Sequence, residues 1–124
     1  MVMTVAAVMI DPIPSRAGLI PARRDTVEAI LTGARSIGAL VIFDEVISFR
    51  LGYSGAQGLW NAAPDLTALG KIIGGGFPVG AVGGRSEVMG VFDGTAGKPA
   101  LPHGGTFTAN PVTMRAGLAS MKAL

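Results

Sequence analysis

The first place in this sequence where chemistry could be done is a lysine set among glycines. Lys71 follows Gly70, precedes Gly74-Gly75-Gly76, and closes the apolar run Leu66-Thr67-Ala68-Leu69. Most lysines are solvated surface groups. This one falls at an expected strand end, next to glycines that let backbone approach a ligand closely. A neutral lysine amine can attack a carbonyl carbon and form a Schiff base. The second candidate is Asp44, which with Glu45 abruptly ends the apolar run Ala39-Leu40-Val41-Ile42-Phe43. An acid directly after a buried strand is unfavourable unless it is paired. A cationic heterocycle nitrogen is one such partner, and a cap or loop role is the plainer alternative. His103 is the only histidine and reads as a loop residue rather than a catalytic base. With no cysteine and no second histidine, a zinc site is not expected.

The elements that must position these residues follow an α/β pattern. Apolar runs of four to eight residues bounded by turn residues suit strands buried on both faces of a parallel sheet. Ligands of open α/β sheets sit outside the carboxyl ends of such strands, where Asp44 and Lys71 both fall. Val2 to Ile10 reads as a first strand, ended by Asp11-Pro12-Ile13-Pro14. A helix is expected from Asp25, with Asp25 and Glu28 at the spacing of a capping box. Val27, Ile30, Leu31 and Ala34 form one helical face, and Gly38 is the expected stop. The strand Ala39 to Phe43 completes a β-α-β unit, so these two strands should be parallel.

Further on, Ala56 to Asn61 suits a short helix pinned by Leu59 and Trp60. Leu66 to Leu69 and Val79 to Val82 suit strands, with Gly83-Gly84 turning the chain. Ser86 is placed to cap a brief helix carrying Val88, Met89 and Val91. Asp93 to Gly105 is expected to be a long loop, of a length that is often functional. Asn110-Pro111 has the form of an N-cap and first-turn pair opening a terminal helix.

Bulk properties narrow the function classes. The 124 residues suit one domain, and the 49% apolar and 15% charged content argues against disorder. A net charge of +2 without a basic run gives no expectation of nucleic-acid binding. No apolar stretch reaches the roughly 18 residues of a membrane span. The apolar start, Met1 to Ile10, lacks a basic leader and reads as a strand rather than a signal peptide. A cytoplasmic location is the expectation. Gly-Lys-x-x-Gly-Gly-Gly is not a P-loop, which argues against a nucleotide-binding domain.

Several separated segments together resemble the class III pyridoxal-phosphate aminotransferases, in the branch of glutamate-1-semialdehyde 2,1-aminomutase and its relatives. They are Phe43-Asp44-Glu45-Val46, Gly55-Ala56-Gln57, Pro64-Asp65-Leu66-Thr67, Gly70-Lys71-Ile72-Ile73-Gly74-Gly75-Gly76, Pro78-Val79-Gly80-Ala81, Gly105-Thr106-Phe107 and Asn110-Pro111. The resemblance runs from about Val5 to Leu118. It implies part of a fold-type I large domain, a mostly parallel sheet flanked by helices, usually in a homodimer. It implies pyridoxal 5′-phosphate as cofactor and a small-molecule amino donor and acceptor. By the same resemblance Lys71 is the Schiff-base lysine, Asp44 pairs with the pyridine nitrogen, and Val46 packs on the ring. Gly105 and Thr106 contact the phosphate from the neighbouring subunit. The family's Glu-Pro is Asp11-Pro12 here, a change read as structural. The upstream phosphate loop, the aromatic residue that stacks on the ring and the small C-terminal domain have no counterpart. The chain therefore resembles the central part of a longer enzyme, and an inactive fragment with only a structural role is the alternative expectation.

Overall fold

The structure, a computed structural model, describes residues 4–124. Its centre is a four-stranded sheet in the order β1-β2-β3-β4, formed by Ala7–Ile10, Leu40–Asp44, Leu66–Gly70 and Gly80–Gly84. β1, β2 and β3 are parallel, and β4 runs antiparallel to β3. The mixed, mostly parallel sheet with helices is the expected α/β architecture. β1 is shorter than the apolar run suggested: residues 4–6 are outside any strand, and Val2 and Met3 lie outside the described residues.

Helix α1, Arg24–Ser36, lies between β1 and β2 and supplies Val27, Leu31 and Ala34 to the core. These meet Val41 and Phe43 of β2, with Ile13, Ala39, Ala56 and Trp60 completing the cluster. Removing each larger apolar side chain from water contributes about 1.5–3 kcal/mol. The start of α1 corrects the capping-box reading. The N-cap is Arg23, with no side-chain cap bond. Asp25 lies inside the first turn, where its carboxylate accepts from the Arg23 guanidinium at 2.6 Å and the Thr26 N–H at 2.8 Å. The stop is as read: Gly38 has φ +70°, and the Ala39 N–H returns to the Ala34 carbonyl at 2.9 Å.

Residues Ala56–Trp60 form the expected short helix, of the 3-10 kind and ending one residue earlier. Trp60 pins it, being 7% exposed and donating its indole N–H to the Ala22 carbonyl at 3.1 Å. Leu59 contributes only its carbonyl, which accepts from Arg24 at 2.9 Å, and its side chain is exposed. The fourth strand also differs from expectation. Gly83 and Gly84 belong to β4, paired with Thr67 and Leu66. A side chain at Gly84 would collide with the Asp65 carbonyl and Leu66, so glycine here marks close strand contact rather than a turn. Helix α2, Ser86–Met89, takes Arg85 as N-cap, and Ser86 makes no cap bond. Helix α3, Pro111–Ala123, is capped as read: Asn110 Oδ1 accepts from the N–H groups of Val112 and Thr113 at 3.0 and 3.3 Å.

One expectation about burial fails. Val8, Ile10, Val41 and Phe43 share the face under α1, whereas the register puts Met9, Ile42, Leu66, Ala68 and Val82 on the other. Met9 and Val82 there are 58% and 53% exposed. Among the described residues that second face is only partly covered, Ile42, Leu66 and Ala68 being half-buried.

Candidate active site

β2 and β3 are adjacent and parallel, so their carboxyl ends open on the same edge. Asp44 is the last residue of β2, and Lys71 follows Gly70, the last of β3. Both line one cavity of about 300 Å³, together with Val46 and Ile47. That volume is at the lower end for small-molecule pockets.

Local backbone explains how each side chain is presented. Alternation along β2 buries Val41 and Phe43, continues to a fully buried Glu45, and turns Asp44 to the opposite face. Asp44 Oδ1 accepts from the Val46 N–H at 3.1 Å, which bends the chain and brings Val46 beside the acid. The Glu45 carboxylate accepts from the N–H groups of Ala56 and Gln57 at 2.5 and 3.0 Å. It thereby fastens the 56–60 turn to the end of β2. Gly55 sits at φ +72°, and a side chain there would strike this carboxylate.

Lys71 has φ +47°, a left-handed conformation that costs a non-glycine residue of order 1–3 kcal/mol and clusters at functional sites. It opens the 3-10 turn Lys71–Gly74. Gly70 before it faces Val46, whose Cγ1 would stand 3.2 Å from an added Cβ. The turn is held from behind by α3. Gly75, at φ +58°, lies against the backbone of Ala116 and Gly117, and Gly117 lies against the Ile73 carbonyl. Ser120 Oγ adds a bond to the Ile72 carbonyl at 3.3 Å.

Four residues missed as site residues also line this cavity from the turn after β1: Asp11, Pro14, Ser15 and Arg16. The signal was available. A β1 parallel to β2 must deliver its carboxyl end to the edge where Asp44 lies. Asp11 has the structural role read for it, its Oδ1 accepting from the Ile13 N–H at 2.9 Å, and it faces the cavity as well.

Gly105 and Thr106 do not join Lys71 and Asp44 within the chain. They lie in an exposed turn before α3, and neither lines the cavity. His103 is near Phe92, their rings edge to face at 6.2 Å, away from the lysine. Among the described residues no group of acids and histidine is arranged to hold a metal ion.

The clearest electrostatic anchor lies behind the site. Asp65, just before β3, has its carboxyl held below the ordinary value, first by the Val41 N–H at 2.8 Å and then by the Arg85 guanidinium at 2.8 Å. It ties β2, β3 and the end of β4 together.

The sequence profile of class-III aminotransferases matches residues 1–124. The chain belongs to the class-III aminotransferase family. It is 51% identical over 121 residues to a glutamate-1-semialdehyde 2,1-aminomutase of Aeropyrum pernix, covering 97% of this chain and 28% of that protein. The aminomutase of Ignicoccus hospitalis is 48% identical over 120 residues, again covering 28% of its length. Among solved structures, an omega-transaminase from Sphaerobacter thermophilus superimposes with a TM-score of 0.91 at 58% identity, over 95% of this chain and 27% of that one. A transaminase with PLP bound gives a TM-score of 0.92 at 49% identity, over 97% and 28%. The chain thus spans little more than a quarter of the length of these relatives.

The residues present fit the cofactor that the family implies. A carboxylate and a primary amine open into one cavity from neighbouring strand ends. That is the donor set for a cationic ring nitrogen and an aldehyde.

Proposed function

We propose that this chain supplies the cofactor-binding centre of a pyridoxal-phosphate-dependent enzyme that moves amino groups. The observation that carries the reading is the convergence of Lys71 and Asp44 on one cavity from adjacent parallel strands. The cofactor, when bound, supplies an electron sink for charge developing at a substrate carbon. Asp44, as a carboxylate, holds a proton on the ring nitrogen through a charge-assisted hydrogen bond. Val46 offers a branched apolar side chain to the ring face and keeps water from it. Lys71 would hold the aldehyde carbon through its amine, and that amine, when free, would serve as the base that takes and returns the proton at the substrate Cα. The positive φ at Lys71 supports this reading, because strained backbone of this kind clusters at functional sites.

Gly105 and Thr106 are proposed to reach the cofactor phosphate of a neighbouring copy in a homodimer. Their exposure and their distance from the cavity of their own chain support that role. The substrate is a small amino donor, with either an intramolecular shift of the amino group or transfer to a second molecule. A second reading, in which this chain alone is inactive and only structural, is favoured by the uncovered apolar side chains Met9 and Val82.

Incubation with pyridoxal phosphate and borohydride, followed by peptide mass spectrometry, tests the proposal. The label should fall on Lys71 and disappear in Lys71→Ala. Labelling undiminished by that substitution would remove the assignment. Retained labelling without turnover would support the structural reading. In a full-length relative, turnover without an added keto acid would indicate the intramolecular shift.

A further inference from the structure

The turn after β1 brings into the cavity a cation that the chemistry proposed above leaves unused. Arg16 lies at the centre of the 3-10 turn Ser15–Ala17 and lines the same cavity as Lys71 and Asp44. The backbone that presents it is fixed at its base. Pro12 is fully buried and Ile13 is 6% exposed. The N–H groups of Ala17 and Leu19 both donate to the Pro14 carbonyl at 3.1 Å. Gly18 at φ +82° and Leu19 at φ +59° close the turn.

The guanidinium, in contrast, is uncommitted. Arg24 and Arg35 hold backbone carbonyls and Arg85 holds Asp65. No side-chain hydrogen bond or ion pair among the described residues engages Arg16. Of the two acids in the cavity, Asp11 has one oxygen on the Ile13 N–H, and Asp44 is assigned to the ring nitrogen. A guanidinium presents paired N–H donors in a planar fork that matches a carboxylate. In an amino acid that carboxylate lies only one or two carbons from the nitrogen that must arrive at Lys71.

We infer that Arg16 binds the carboxylate of the substrate, so that the site selects amino acids over simple amines. The inference rests on the proposed function and deepens it. Reduced conjugates of pyridoxal phosphate with alanine, β-alanine and ethylamine share ring and phosphate, and only the first two carry a carboxylate. Their dissociation constants for the chain can be read by ligand fluorescence. At least one carboxylate conjugate should bind roughly fivefold more tightly than the ethylamine conjugate, near the upper range of an exposed ion pair. Arg16→Gln should erase that advantage and leave the ethylamine conjugate unchanged, which also shows that the variant is folded. Equal weakening of all three would assign Arg16 to the phosphate and overturn the inference. An advantage that survives the substitution, or is absent from the unmodified chain, would also overturn it. Failure of the unmodified chain to bind any conjugate would overturn the cofactor reading itself, before any variant is made.

Discussion

At the scale of single residues, two neighbouring acids at the end of β2, Asp44 within it and Glu45 just after it, do different work because the alternation of the strand continues past its end. Asp44 turns to the cavity, while Glu45 is fully buried against two backbone amides. Glu45→Gln should destabilise the chain by about 1–3 kcal/mol, since an amide NH2 cannot accept from the second N–H and leaves it unsatisfied. A lowered urea midpoint would show this. Asp65 gives a pH-dependent counterpart. Its carboxyl is depressed in the folded chain. Its contribution is therefore complete above the ordinary value of 3.8 and is lost as pH falls through the depressed one. Asp65→Ala should cost about 1–3 kcal/mol at pH 7, by stranding the Val41 N–H. Stability of the unmodified chain should fall more steeply with pH below 3.8 than that of the variant, which denaturant titration at each pH would measure. The sequence marked Asp44 and Lys71 because each ends an apolar run. It did not mark Arg16: the expected parallel β1 and β2 put the turn after β1 at the right edge, but no periodicity reveals which residue of that turn faces the cavity.

At the scale of elements, the turn carrying Lys71 depends on a helix some forty residues later. Gly117 and Gly75 let α3 and the Lys71–Gly74 turn touch backbone to backbone. Gly117→Ala would set a methyl group against the Ile73 carbonyl. It should push the turn from its place, costing about 1–3 kcal/mol and lowering the rate of borohydride-trapped labelling at Lys71. Normal labelling in a destabilised variant would show that the contact serves folding alone. Such a contact is invisible in sequence, where Gly117 reads only as a weak point in a helix. The terminal helix itself was legible, because Asn110-Pro111 is a local signal with a local cause. The end of α1 was legible for the same reason. Its start was legible to within one residue, but its cap was not, because the Arg23–Asp25 pair at 2.6 Å takes the carboxylate that the spacing had offered as a cap. Gly83-Gly84 was misread because a glycine pair serves equally a turn and a strand pressed against its neighbour.

At the scale of the molecule, the family and the mostly parallel sheet were legible from the order of separate motifs. The partly covered sheet face was not. Apolar runs suggested burial on both sides, yet Met9 and Val82 stand open on one. Exposed Phe107, at 81%, neighbours the turn proposed to serve a second copy. Light scattering should therefore give a species of twice the chain mass. Thr106→Val should weaken pyridoxal phosphate binding without altering which residue is labelled. A monomer that binds cofactor undiminished would remove the proposed crossover between copies.

The strict alternation of β2 has an evolutionary corollary. Losing one codon inside that strand would shift Asp44 and the Glu45 that follows it by one station each, turning Glu45 outward and forcing Asp44 into the buried place that Phe43 holds under α1. One deletion would then damage folding and reactivity at once. Mutational drift in this segment is thus confined to substitutions, and length variation must accumulate in the loops on either side.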